Sequence, residues 1–150
     1  MKAMIVGLLV VLGAMSQMAF AQTAEKEVVF SCDLDAGKSV MLTRDPKTDT
    51  FTLKYGASLA TPEVVVIKLG NDMGTTLHYS RLTNTEAREV YMTKGEEFYT
   101  VGYVDGGAQK QGYVHITRGT VEVAYQECNA ATLNSTFGDV TQFANFTEVD

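Results

Sequence analysis

The sequence predicts an all-β domain: a small antiparallel barrel or sandwich of about eight to nine strands, closed by one disulfide and followed by a short helix or a loose tail. Between residues 27 and 128, short alternating segments are separated by turn residues, which is the pattern of consecutive strands. An export-type segment precedes them, and one cysteine stands near each end of the β region. Turn residues at regular spacing are typical of meandering barrels and sandwiches.

The first 21 residues have the layout of a cleaved secretory signal peptide. Lys2 precedes an apolar run at residues 3–12, and small residues lead to Ala19-Phe20-Ala21, an A-x-A cleavage pattern. The apolar run is too short to span a membrane comfortably. We therefore expect residues 22–150 to form a single exported β domain, periplasmic or secreted, with no stable membrane anchor after cleavage.

Three strands are predicted before residue 60. Val28, Phe30 and Cys32 alternate with other residues, which indicates a strand with one buried face. Turn residues then follow, with Gly37 in one cluster and Pro46 in the next. The predicted strands cover residues 28–32, 39–43 and 50–55.

The fourth predicted strand contains four successive β-branched residues at 64–67. Such a run strongly favours a strand, and it suggests burial from both sides. After it, Gly95, Gly106 and Gly119 mark the breaks between the later strands. Those strands are predicted at residues 77–82, 87–92, 98–104, 111–117 and 120–125.

The segment after Cys128 has two interpretations. Apolar residues recur there at spacings of three and four, as on an amphipathic helix; they are Leu133, Phe137, Val140, Phe143 and Phe146. Gly138 and the many Thr and Asn residues weaken the helical pattern. Residues 129–150 are therefore expected to form either a short helix over an open end of the barrel or a loose tail.

Cys32 and Cys128 are expected to form a structural disulfide. They are the only two cysteines in the chain, and an exported protein keeps such bridges. The bond would tie the first strand to the end of the last. A redox role would call for a C-x-x-C motif or a neighbouring histidine, and neither is present.

Charge and motifs exclude several function classes. The chain has 18 Asp and Glu against 12 Lys and Arg, a net charge of −6, and it has no basic run that would neutralise nucleic-acid phosphates or anionic lipids. A cationic partner or a neutral ligand fits better, although the charge also serves solubility. His78 and His115 lack metal-ligand spacing, and no nucleophile, phosphate or dinucleotide motif is present. We predict no enzyme activity, no catalytic residue, no metal and no cofactor.

Binding residues are expected on exposed loops, where recognition sites concentrate. Residues 70–76 and 81–88 are the predicted exposed loops, and six tyrosines crowd the second half of the chain. The row of Tyr99, Val101 and Tyr103 admits two interpretations: cross-strand packing or a binding surface. The candidate binding residues are Asp72, Thr75, Tyr79, Arg81, Arg88 and Tyr99.

The chain also resembles the exported bacterial inhibitors of C-type lysozyme. The resemblance is carried by the signal peptide, Phe30-Ser31-Cys32, the segment Val90-Tyr91-Met92-Thr93-Lys94-Gly95-Glu96 and the closing Cys128. It implies a compact antiparallel barrel that inserts a loop into the lysozyme active site. The Ser-Gly of that family is followed closely by Tyr, whereas Gly74 and Tyr79 lie farther apart here.

From these observations we expect a non-catalytic protein-binding module, an inhibitor or immunity protein against a cell-wall-degrading enzyme. The expected partner is a protein, specifically a cationic hydrolase, which an acidic binder would attract by electrostatic steering. The alternative is a periplasmic carrier of a small apolar ligand, since a barrel of about eight strands can hold one inside. An enzyme that uses scattered carboxylates such as Glu96 and Glu97 ranks last.

Overall fold

The computed structural model describes residues 25–80, 85–106, 110–136 and 146–149, and in them the chain is all-β, as predicted. Two sheets share one buried core and do not close into a barrel, so the sandwich form of the prediction is the correct one. The strands are β1 Glu27–Asp33, β2 Ser39–Asp45, β3 Thr50–Gly56, β4 Val64–Leu69, β5 Gly74–Ser80, β6 Thr85–Lys94, β7 Glu97–Asp105, β8 Lys110–Arg118, β9 Val121–Glu127, β10 Asn134–Ser135 and β11 Phe146–Val149. A single 3₁₀ turn at Gly70–Asp72 links β4 to β5.

The first sheet has five antiparallel strands in the order β10-β1-β2-β3-β4. Leu42 lies opposite Leu53, and Leu53 lies opposite Val66, so one apolar row crosses three strands. A register shift between Val28 and Phe30 lets both Val29 and Phe30 be buried. The alternation predicted for β1 is interrupted at this point because a bulge adds one residue to the strand.

The second sheet has six strands in the order β11-β5-β6-β7-β8-β9. Strands β5 to β9 are joined in sequence as antiparallel neighbours. The last strand departs from this plan, because β11 runs parallel to β5, with Phe146 opposite Thr75. A parallel pair needs a long crossover instead of a hairpin, and β11 follows β10, which lies in the other sheet.

The two sheets pack over a common core of side chains from both inner faces. The buried residues of the five-stranded sheet include Phe30, Val40, Leu42, Phe51, Leu53 and Val66, and those of the six-stranded sheet include Val90, Met92, Tyr99, Val101, Val114 and Ile116. Burial of one large apolar side chain contributes roughly 1.5–3 kcal/mol. The alternation read from the sequence therefore places the core between the sheets.

The predicted disulfide between Cys32 and Cys128 is confirmed, with a Cα–Cα distance of 5.6 Å across 96 residues of sequence. Around it, the main chain joins the ends of β1 and β9: the N–H of Asp35 donates to the carbonyl of Glu127 at 3.2 Å, and the N–H of Asn129 donates to the carbonyl of Asp33 at 2.7 Å. The bridge and these bonds hold the two sheets together along one side.

Strand β4 corrects one expectation from the sequence. Its alternate residues Val65, Ile67 and Leu69 are 37%, 61% and 54% exposed, so β4 is not buried from both sides. The run of β-branched residues is explained by strand propensity alone, because β4 is the last strand of its sheet and only its inner face meets the core.

Each of the two predicted exposed loops is strand in part. Residues 70–76 contain the 3₁₀ turn and the start of β5, and Met73 is 2% exposed. Within 81–88, residues 85–88 belong to β6, and residues 81–84 lie outside the described residues. Polar composition was misleading here because Thr75, Thr76 and Thr85 lie in strands, where the β-branched side chain of threonine is readily accommodated.

The C-terminal segment contains no helix in its described parts. Residues 129–136 form a turn and β10, with Leu133 packed against the core, and residues 146–149 form β11. Residues 137–145 and the predicted signal peptide lie outside the described residues. Among the described residues, no helix has the length and hydropathy of a transmembrane span.

Candidate functional site

The outward face of the six-stranded sheet carries a cluster of aromatic side chains. Alternation that buries Val90, Val101 and Val114 turns their neighbours to the other side of the sheet. Tyr91 lies opposite Thr100, Thr100 opposite His115, and His115 opposite Tyr125. We call this surface the aromatic face; it consists of Tyr91, Phe98, Tyr113, His115 and Tyr125.

Two glycines give the tyrosine rings room to lie against the sheet. A Cβ on Gly74 would overlap the ring of Tyr91 on the neighbouring strand, and a Cβ on Gly102 would overlap the ring of Tyr113. Glycine inside a strand often marks such a close approach. The positions of these rings are therefore set by the backbone beneath them.

The rings at the β8–β9 end of the face contact one another. Tyr113 and Tyr125 stack with ring centroids 5.5 Å apart, and His115 meets Tyr125 edge-on at 5.8 Å. Both distances fall in the range of favourable aromatic pairs. Tyr91, Phe98 and Tyr125 remain 38%, 42% and 47% exposed, so the face is ordered yet offers apolar area to a partner.

Carboxylates surround these rings. The Tyr113 hydroxyl donates a hydrogen bond to Glu89, and burial together with this bond raises the pKa of Tyr113. Nε2 of His115 lies 3.1 Å from Oε2 of Glu122, whose side chain is 62% exposed. Burial, with Glu127 and Glu122 nearby, also raises the pKa of Tyr125. The face thus combines aromatic area with negative charge.

The structure does not gather the predicted binding residues onto one surface. Asp72 is exposed in the 3₁₀ turn. Thr75 and Tyr79 occupy β5 opposite Val90 and Glu86. Arg88 lies in β6 with Nη2 2.7 Å from Oε2 of Glu86, and Arg81 lies outside the described residues. Tyr99 is 3% exposed and lies in the core, as does Val101, whereas Tyr103 is partly buried against it.

Tyr99 belongs to a polar network at the edge of that core. Its hydroxyl donates to Glu97, whose other oxygen lies 2.5 Å from Nη2 of Arg118. Burial, followed by the bond to Glu97, raises the pKa of Tyr99 to about 12. The bonds from Tyr99 and Arg118 lower the pKa of Glu97. This network anchors a tyrosine between the sheets.

The concentration of tyrosines in the second half of the chain is visible in the sequence, but the aromatic face is not. The sequence did offer one indication, because alternate residues of a strand lie on the same side of a sheet. Tyr113 and His115 share one side of β8, and Tyr91 and Phe98 lie on the outward sides of β6 and β7. Joining these strands into one surface requires the pairing register, which the sequence does not state.

A cleft of about 230 Å³ lies between β7, β8 and the segment before β10, lined by residues that include Tyr103, Lys110 and Leu133. Pockets for drug-sized ligands usually measure about 300–1,000 Å³. Among the described residues, no three His, Cys, Asp or Glu side chains are grouped so that they could hold a metal ion.

Comparison with known proteins adds no relative. No protein-family model, curated protein or solved structure matches this chain.

Proposed function

We propose that this chain is an exported, non-catalytic protein-binding module that holds a cationic protein on its aromatic face. The observation that carries the proposal is the combination of partly exposed rings with carboxylates on one ordered surface. Tyrosine is enriched in protein interfaces because it offers apolar area and a polar tip. The stacked pair of Tyr113 and Tyr125 loses little conformational freedom when a partner binds.

Charge supports a cationic partner in particular. The chain has a net charge of −6, and Glu122 and Glu127 stand at the rim of the aromatic face. Opposite charges steer the encounter of two proteins and raise the association rate. Lysine and arginine side chains also bind favourably over tyrosine rings.

The finer proposal is that the partner is a hydrolase that degrades the cell wall, and that this chain serves as its inhibitor or as an immunity protein. The disulfide between Cys32 and Cys128 is consistent with a periplasmic or extracellular location, where such bonds persist. The signal-type N-terminus and the resemblance to exported lysozyme inhibitors point to the same compartment.

The carrier of an apolar ligand has less support. Phe30, Phe51 and Leu53 fill the space between the sheets in the described residues, and the cleft near Tyr103 is small. No observation on the described residues favours a bound ligand over a packed interior.

Binding to a cationic muramidase tests the proposal. The protein would be exported from the full-length gene, purified from the periplasm with its disulfide intact, and titrated calorimetrically against the muramidase at low salt. Glu122→Lys should weaken binding by about tenfold or more, which corresponds to about 1.4 kcal/mol. Glu27→Lys makes the same change of charge on the other sheet and should have a much smaller effect.

Each outcome of this experiment distinguishes the aromatic face from another explanation of binding. Equal losses in the two variants would mean that net charge, and not the aromatic face, governs binding. If the muramidase does not bind at all, the hydrolase assignment fails. A pull-down from periplasmic proteins would then show whether another cationic protein depends on Glu122.

A further inference from the structure

Strands β4 and β9 each expose an apolar row at the edge of a sheet. In the described residues β4 pairs only with β3 and forms the end of its sheet, while β9 forms the end of the other sheet beside β8. Ile67 and Leu69 on β4 are 61% and 54% exposed, and Val121 and Val123 on β9 are 64% and 51% exposed. Exposed apolar edge strands are ready sites for association with another chain.

The two edges carry opposite charges. On β4 the one charged residue is Lys68, and Lys54 of β3 lies opposite Val65. On β9 the charged residues are Glu122 and Glu127. Arg118 of β8 lies opposite Val121 and is paired with Glu97. A molecule whose overall charge is −6 therefore has one basic apolar edge and one acidic apolar edge.

The β4 edge has Lys68 as its protection against association, and a carboxylate-bearing edge would neutralise that charge. The register of β4 with β3 is regular from Val64 to Leu69, with no bulge and no proline inside the strand. Strand β9 does carry a register shift, between Ile116 and Thr117 of its neighbour β8. At this shift Val123 has no residue directly opposite it on β8, and its side chain is exposed.

We propose that copies of this chain associate head to tail, with the β4 edge of one copy docked on the β9 edge of the next. Apolar rows meet in this contact, and the lysines at the β4 edge come near Glu122, which lies on the part of β9 that the N–H of Asp35 does not cover. Pairing β4 with a second β4 would bring lysines together without a carboxylate on either strand. Because the contact uses two different surfaces, it leaves a free edge at each end and the assembly can grow beyond a dimer. The inference goes beyond the proposed function, since it requires no hydrolase.

Analytical ultracentrifugation over a wide range of concentrations tests the association. The exported, disulfide-bonded protein should gain mass beyond the dimer as its concentration rises, and it should lose that mass at high salt. Ile67→Lys blocks the β4 edge and Val123→Lys blocks the β9 edge, so each variant alone should be monomeric. Thr43→Lys, on β2, adds the same charge two strands away from β4 and on the other sheet from β9, and it should associate like the parent protein.

A mixture of the two blocked variants gives the decisive result. Each variant retains the edge that the other lacks, so an equimolar mixture should form a one-to-one heterodimer and nothing larger. Circular dichroism of each variant checks that it is folded. A parent protein that stays monomeric, or a mixture that stays monomeric with both variants folded, would overturn the proposal. Self-association of Val123→Lys but not of Ile67→Lys would also overturn it, because that pattern indicates β4 paired with β4.

Discussion

The hydroxyl of Tyr113 on β8 donates a hydrogen bond to the carboxylate of Glu89 on β6, two strands away. The ring reaches across the intervening strand β7 because Gly102 lies beneath it, where a Cβ would collide with the ring. One side chain thus joins three strands on the outer side of the sheet. The aromatic face is built on this relationship.

Replacement of Gly102 should disturb the face more than loss of the hydroxyl. Gly102→Ala places a methyl group where the Tyr113 ring lies, and overpacking of this kind costs about 1–3 kcal/mol. Tyr113→Phe keeps the ring and removes the donor, at a cost of about 1 kcal/mol. Urea titration gives both free energies of unfolding. Equal stability of Gly102→Ala and the parent protein would show that the ring can move away without cost.

Salt should weaken the interaction with a cationic partner, and Glu122 should account for part of that dependence. The carboxylate is largely exposed, so its contribution comes from steering, which a Debye length of about 8 Å at physiological salt screens. Stopped-flow measurement of Glu122→Gln should show a slower association rate at low salt and a nearly unchanged dissociation rate. A change confined to dissociation would instead indicate a direct, desolvated contact.

Removal of the disulfide should destabilise the fold without changing its topology. Cys32→Ser combined with Cys128→Ser frees a loop of 96 residues, and loss of such a bridge from a small exported domain typically costs about 2–5 kcal/mol. Urea titration of the double variant measures the loss. The parent protein under strong reducing conditions should show the same midpoint, and a large discrepancy would point to an effect of the serines themselves.

Alkaline pH should destabilise the protein through Tyr99. Its pKa rises from 10.0 to about 12 because the ring is buried and hydrogen-bonded to Glu97. A raised folded pKa means that this contribution is complete below pH 10, where both states are protonated. It is lost as the pH rises through about 12, because the unfolded state releases its proton first.

The free energy of unfolding, measured by urea titration at successive pH values, should therefore fall between pH 10 and about 12. Tyr99→Phe should reduce this fall but not abolish it, because the raised pKa values of Tyr113 and Tyr125 act in the same direction. An identical pH profile for Tyr99→Phe and the parent protein would contradict the assignment.

The local sequence pattern was sufficient to predict the positions of most strands. The alternation of Val28, Phe30 and Cys32, and the turn residues Gly37 and Gly95, reflect the preferences of a few neighbouring residues. Strands β1 to β4 and β6 to β9 accordingly lie where the sequence predicts them, within a few residues. The pairing of Cys32 with Cys128 was equally accessible, since no other cysteine is available.

The local sequence pattern does not show whether both faces of a strand are buried. Val65 and Ile67 have the composition of a fully buried strand, yet they are exposed because β4 ends its sheet. Tyr99 and Tyr91 lie in adjacent strands with similar surroundings in sequence, and one is in the core while the other is on the surface. Such differences depend on which face of a strand meets the second sheet.

The sequence by itself determined the all-β class, the positions of most strands along the chain and the disulfide. Alternation, turn residues and a lone cysteine pair are properties of the chain itself. Only the tertiary structure decided that Tyr91 and Tyr125, on strands three places apart, belong to one surface, and that β4 and β9 are edges. The physical reason is that strand register and sheet order arise from hydrogen bonds between distant segments, and a short stretch of sequence does not encode its partner.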